Sequence, residues 1–166
     1  MAEVYLSIGS NINRHKNIHS CLQQLQADFP DVVFSKIYET PAEGFDGSPF
    51  FNLAAKHTTK LSPQALDKHL KAIEDQHARA RDRKSKKFSS RTLDIDLLLY
   101  DQENLHPQMD VPRDEIVHYP FVLFPLAEIA PNVTHPTLQK SIAELAKTSA
   151  LKQDTLVEIT LKKTSL

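Results

Sequence analysis

Arg91-Thr92-Leu93-Asp94-Ile95-Asp96-Leu97-Leu98-Leu99-Tyr100 is the stretch whose reading decides the fold. The alternation is that of a strand, with Leu93, Ile95, Leu97 and Leu99 facing one way and Asp94 and Asp96 the other. Two steps of roughly 3.3 Å set the two aspartate Cα atoms about 6.6 Å apart. Aspartate is depleted in strands, and two on one face repel, so the placement is unfavourable unless a cation sits between them. Two hard oxygen ligands at that spacing suit one or two Mg²⁺ ions, which would also hold substrate phosphates. A solvent-facing sheet edge is the plainer alternative for such a pair.

Outward from this strand, the pattern orders the rest of the chain. Residues 3–9 alternate as a first strand, and Ile18, Cys21, Leu22, Leu25 and Phe29 follow at helical spacing. Residues 32–40 read as a second strand, 41–49 as a loop and 50–59 as a third strand. Ser62-Pro63 is an N-cap with proline at the first helical position, and Leu66, Leu70, Ile73 and His77 continue that helix. The order β-α-β-β-α-β predicts an α+β fold of the ferredoxin-like, split βαβ kind. A proline-punctuated segment over 111–136, a short helix after Ser141 and a last strand near 156–161 complete it. No repeat or linker divides the chain, so residues 1–166 are expected to form a single domain.

Composition excludes several classes. Lys and Arg total 20 against 21 Asp and Glu, so no global basic field points to nucleic acid or a membrane surface. With only Gly9, Gly44 and Gly47, neither a Rossmann G-x-G-x-x-G nor a P-loop can be written. One cysteine rules out an intrachain disulfide, and histidines at no ligand spacing leave little for zinc. The N-terminus has no secretory pattern and no apolar run reaches membrane-spanning length, so the expected compartment is the cytoplasm.

Charge is lopsided locally. Between Arg79 and Arg91 lie seven basic residues and a single acid, Asp82. Such a run is either a solvated loop or a clamp for a polyanion, whether nucleic acid or polyphosphate. Phe88 alone is a thin stacking platform for single-stranded nucleic acid, which favours a small phosphate ligand. Like charges would hold the loop open until an anion arrives, as in a lid over a triphosphate. Paired carboxylates beside a basic clamp, without a P-loop, read as phosphoryl transfer from a nucleotide.

Several further motifs stand at set positions: Gly9-Ser10-Asn11, Ser35-Lys36-Ile37-Tyr38-Glu39-Thr40-Pro41, Phe50-Phe51-Asn52-Leu53-Ala54, Ile73-Glu74 and Phe121-Val122-Leu123-Phe124-Pro125-Leu126. With Arg91-Thr92-Leu93-Asp94-Ile95-Asp96 they make the chain resemble the 6-hydroxymethyl-7,8-dihydropterin pyrophosphokinase family. The resemblance implies an elaborated ferredoxin-like fold and transfer of pyrophosphate from ATP to the pterin hydroxymethyl group, with release of AMP. It implies that Asp94 and Asp96 ligate two Mg²⁺ ions and that ATP is the co-substrate. Arg79, Arg81 and Arg91 would act on the ATP phosphates, with Glu74, Leu97 and Arg113 also at the nucleotide. Asn52 would read the pterin edge, Phe50 and Phe121 would stack on its faces, and the backbone near Thr40, Pro41 and Glu43 would help. A carboxamide offers the donor and acceptor that an amino-pyrimidinone edge needs, and offset stacking suits a flat bicycle. Small molecules, rather than nucleic acid or membrane, are the expected partners.

Some positions depart from the family pattern. Arg113-Asp114 follow Val111-Pro112 where the family usually has His, and Tyr119 stands where Arg is usual. Phe88-Ser89-Ser90 replaces Trp-Gly-Pro, and Ala78 replaces Gly before Arg79. These changes touch the triphosphate shell and leave the metal and pterin elements intact. A diverged pterin- or nucleotide-binding paralogue without turnover is therefore the alternative. An RNA-binding module on the same fold is a weaker one, since no RNP-like run is present.

Overall fold

The computed structural model describes residues 1–42, 47–78 and 92–161. The strands are β1 (Ala2–Ser10), β2 (Val33–Phe34), β3 (Ile37–Thr40), β4 (Phe50–Thr59), β5 (Asp94–Tyr100) and β6 (Val157–Ile159). The helices are α1 (Arg14–Asp28), α2 (Pro63–Ala78), α3 (Glu115–His118), α4 (Pro120–Ile129) and α5 (Ile142–Thr148). The strands form a sheet in the order β5-β1-β4-β3-β6, with β2 also on β4, and every pairing is antiparallel. Among the described residues no helix is long and apolar enough to cross a membrane.

The sheet separates two cores. Val4, Leu6, Ile8, Phe51, Leu53, Ile95 and Leu97 point to one side, where Ile18, Cys21 and Leu25 of α1 and Leu66, Leu70 and Ile73 of α2 cover them. On the other side Tyr5, Ala54, Leu98 and Leu99 pack against Ile116, Val122, Leu123, Leu126 and Ile142 from α3, α4 and α5. These C-terminal helices cover only part of their face, leaving the stretch that carries Asp94, Gly9 and Asn52 without such a lid of apolar side chains.

Local chemistry explains where elements begin and where the sequence reading needs correction. Ser62 Oγ accepts the Ala65 N–H at 3.1 Å, so the expected cap forms, and Ser141 Oγ likewise accepts that of Glu144 at 3.1 Å at the start of α5. The single strand expected over 32–40 is instead broken at Ser35-Lys36. There the Lys36 N–H donates at 2.6 Å to Glu128 Oε2, a side chain of α4. The proline-punctuated segment contains helices α3 and α4 because Pro120 stands at a helix start, where no N–H is needed. Leu99 does not share a face with Leu97. The ladder between β1 and β5 shifts between Tyr5 and Leu6, and this irregularity turns Leu98 and Leu99 together into the second core.

His57 marks the far end of the first core. It is 4% exposed, its ring stacks on Phe29 at 3.8 Å, and Nε2 has no partner among the described residues. Burial pushes this imidazole below its usual range and His69 adds to that, while the Thr58 carbonyl and Asp31 pull it upward. A lowered folded-state value means that its contribution to stability is complete above about pH 6.5 and is lost as pH falls below it. His57→Phe keeps the stack and gains no proton. Urea unfolding midpoints followed from about pH 7.5 to about pH 5 should fall more steeply for the parent than for the variant. Parallel curves would show that His57 does not carry the acid sensitivity.

Candidate functional site

One register builds the site. Asp94 of β5 lies opposite Gly9 of β1, Gly9 opposite Asn52 of β4, and Asn52 opposite Tyr38 of β3. The next row carries Asp96 opposite Ser7 and Ser7 opposite Ala54. Asp94 and Asn52 are therefore two strand spacings apart on one sheet face, roughly 10 Å.

At the Asn52 end, the side chain is 6% exposed and its Nδ2 donates to Thr40 Oγ1 at 2.6 Å. A Cβ added at Gly9 would stand 2.8 Å from Asn52 Oδ1 and 3.6 Å from the Phe50 ring, so only glycine leaves the carboxamide its place. Phe50 and Phe121 are both half-buried. Phe121 lies in the first turn of α4, where Tyr119 stacks on it at 5.0 Å with 20° between the planes. Thr40 is buried and Pro41 exposed. Arg14 ties the two ends of the intervening loop: Nη2 lies 2.7 Å from Glu39 Oε2 and Nη1 donates to the Pro49 carbonyl at 3.0 Å.

At the other end the carboxylates gather. Asp96 Oδ1 lies 3.5 Å from Arg113 Nη2. Burial, and then the adjacent Asp94, pushes the Asp96 carboxyl up to about 7 against the pull of Arg113. Glu74 Oε1 accepts the Ile95 N–H at 3.0 Å, bracing the edge strand, and Oε2 lies 3.3 Å from Lys71 Nζ. Burial pushes Glu74 also up to about 7; the Ile95 N–H and Lys71 oppose this, and Asp94 adds to it. Among the described residues, then, carboxylates outweigh the cations Lys71 and Arg113 at this end. Among the described residues no three His, Cys, Asp or Glu side chains form a metal cage. A pair of strand carboxylates fits Mg²⁺, which keeps water and substrate phosphates as its remaining ligands.

The structure thus brings Thr40, Phe50 and Asn52 together at one end, and Glu74, Asp94, Asp96 and Arg113 at the other. Leu97, expected at the nucleotide, has its side chain 2% exposed in the core against α1 and α2, because it alternates with the aspartates, so any part it plays there falls to its backbone. Glu43, Arg79, Arg81 and Arg91, with the whole expected lid, lie outside the described residues. Sequence reasoning missed the parts played by Arg14, Lys71 and the floor position of Gly9. A lone glycine inside a strand was the available signal for the last.

Comparison with known proteins decides the family. The model of the 7,8-dihydro-6-hydroxymethylpterin-pyrophosphokinase family matches residues 5–131. This chain belongs to that family. It is 34% identical to the 2-amino-4-hydroxy-6-hydroxymethyldihydropteridine pyrophosphokinase of Aquifex aeolicus, over 92% of this chain and 95% of that one. It is 33% identical to the enzyme of the same name from Haemophilus influenzae, over 89% and 92%. The crystal structure of Plasmodium falciparum HPPK-DHPS shares the fold, with a TM-score of 0.67 at 13% identity over 89% of this chain. Our chain spans 43% of that longer one.

Gly9→Ala tests the crowded floor. Asn52 must rotate away from the added methyl and lose its bond to Thr40, so the variant should lose about 1 kcal/mol of stability. The Asn52 side-chain amide resonances should shift, and unchanged resonances would mean that the floor has room to spare.

Proposed function

We propose that this protein transfers pyrophosphate from ATP to the hydroxymethyl group of 6-hydroxymethyl-7,8-dihydropterin and releases AMP, as a step of folate biosynthesis. The observation that carries the reading is one sheet face that holds a buried carboxamide, Asn52, in the same row as Asp94 about 10 Å away, with Asp96 in the next row. The frame is the ferredoxin-like split βαβ arrangement, supported by β1 and β4 at the centre with β5 and β3 outside them. Asn52 presents a donor and an acceptor to the pterin edge, and Phe50 and Phe121 cover its faces. The hydroxymethyl group then points along the row toward Asp94 and Asp96. Its oxygen bonds to the β-phosphorus as the bond from that phosphorus to the AMP oxygen breaks.

Asp94 and Asp96 would hold Mg²⁺, two ions by the family resemblance, and the metal when bound neutralises charge on the transferring phosphates. Arg113 faces the same carboxylates and supplies a guanidinium to phosphate oxygens. Arg79, Arg81 and Arg91 complete the phosphate shell, and Glu43 joins Thr40 and Pro41 around the pterin. Glu74, braced on Ile95, borders the nucleotide side.

Incubating the protein with Mg-ATP and the dihydropterin should yield AMP in step with consumption of the pterin. ATP and pterin that bind without AMP release would instead establish a non-catalytic paralogue. Asp94→Ala and Asp96→Ala should each lower turnover by at least about a hundredfold. The ligand-free proteins should keep or gain up to about 1 kcal/mol of stability, because like-charge repulsion is removed. A variant that loses stability yet keeps Mg-dependent turnover would make the pair structural.

Asn52→Ala separates the two ligands. Loss of the paired donor and acceptor should weaken pterin binding by about 1–3 kcal/mol and leave ATP binding nearly unchanged. Equal weakening of both, by separate calorimetric titrations, would move Asn52 out of the pterin pocket.

A further inference from the structure

Arg113 is held in a way that suits exchange. Its backbone N–H donates to the Leu98 carbonyl at 3.0 Å, which fixes the residue against the edge strand next to Asp96. The side chain, by contrast, is poorly bonded. Nη2 stands 3.5 Å from Asp96 Oδ1, beyond ordinary N–H···O length. Nε lies 3.2 Å from Glu115 Oε1 but makes no directed hydrogen bond there, although it is buried. Among the described residues, a guanidinium with five donors is thus held between two carboxylates, Asp96 and Glu115, neither of which takes its fork bidentately. Lys71, the other cation acting on Asp96, is occupied by Glu74 at 3.3 Å. Among the described residues, Arg113 is therefore the principal counter-ion of Asp96.

We propose that Arg113 is an exchangeable counter-ion that makes the site prefer a cation–triphosphate complex over the bare cation. This rests on the reading of Asp94 and Asp96 as the metal pair. A divalent ion arriving alone at Asp96 meets the positive charge of Arg113, which its pairing with Glu115 keeps close by. An ion arriving with a triphosphate brings oxygens that can take the fork bidentately, while Glu115 keeps the stem near its present place. Displacement from Asp96 and capture by phosphate then become one event. Metal and nucleotide each strengthen the binding of the other, and by linkage the coupling is reciprocal. The residue thereby guards against occupation of the carboxylates by metal without substrate.

The test is a titration of Mn²⁺ into the full-length protein and into Arg113→Met, followed by electron paramagnetic resonance. It is run without nucleotide and then with saturating α,β-methylene-ATP. For bare Mn²⁺ the variant should bind about tenfold tighter than the parent, since a repelling charge a few ångströms away has gone. For Mn²⁺ with the analogue it should bind about tenfold more weakly, because the fork has gone too. The opposite signs are the signature, and a merely structural residue would move both affinities together. Equal or weaker bare-metal binding in the variant, with weaker analogue binding, would leave Arg113 an ordinary phosphate ligand and overturn the proposal. Arg113→Gln serves as a second variant of different shape, with the same pair of signs required. AMP release by the parent is measured alongside. If the parent makes AMP and the signs are not opposite, the exchange fails and the enzymatic reading stands. If the parent makes none while the signs are opposite, the enzymatic reading fails and the exchange stands.

Discussion

The register that sets Asp94 against Gly9, Gly9 against Asn52 and Asn52 against Tyr38 is the constraint on which the site depends. A side chain alternates face at every residue, so a slip of one position would turn Asn52 and both aspartates into the α1 and α2 core. Burial on both sides of the sheet forbids that slip. Ile8, Phe51, Leu53 and Ile95 are at most 1% exposed against α1 and α2, and none has an apolar place to go on the other side near the site. The hydrophobic pattern thus fixes the position of polar groups that the hydrophobic effect itself does nothing to favour.

The polar end of the face has a cost, visible at Asp96 and Glu74, whose carboxyls burial holds up near 7. The fold tolerates this because Glu74 also works as a brace. Its oxygen satisfies the Ile95 N–H, which faces outward on the edge strand and would otherwise be open to pairing with another chain. Bracing the edge and crowding the carboxylates are consequences of one placement. A site assembled this way is under electrostatic tension when empty, and ligands that bring positive charge relieve it.

Much of this was readable from residue order. Asp94 and Asp96 alternating with leucine and isoleucine announce a strand with a charged face, and Ser62-Pro63 announces α2. Sequence periodicity cannot show that two faces of one strand are buried by different helices, and so it assigned Leu99 to the wrong side. The bulge that moves Leu99 depends on pairing with β1, a long-range fact. Likewise the break at Ser35-Lys36 is made by Glu128, distant in the chain, and no local propensity predicts it. The proposed metal pair and pterin reader could be named from sequence because each role calls for a particular functional group. Arg14, which acts by tying loop ends, carries no such mark.

Helix α4 carries Phe121, one wall of the proposed pterin end, and its anchoring shows how that side chain is positioned. Near its C-terminal end, Glu128 accepts the Tyr38 hydroxyl at 2.5 Å and the Lys36 N–H at 2.6 Å, while Lys56 Nζ donates to the Ile129 carbonyl at 2.8 Å. At its N-terminal end no side chain caps it, and Phe121 rests on Tyr119. Tyr38 pairs directly with Asn52, and Lys56 lies on the same strand as Asn52. The strands that carry Asn52, the proposed reader of the pterin edge, therefore also hold the helix that carries Phe121. A flat ring between two aromatic faces needs roughly 7–8 Å, two van der Waals contacts, and errors of a few tenths of an ångström already weaken both. Fixing floor and wall to the same pair of strands removes the relative motion that would produce such errors, so Asn52 and Phe121 can meet one ligand without any contact between themselves.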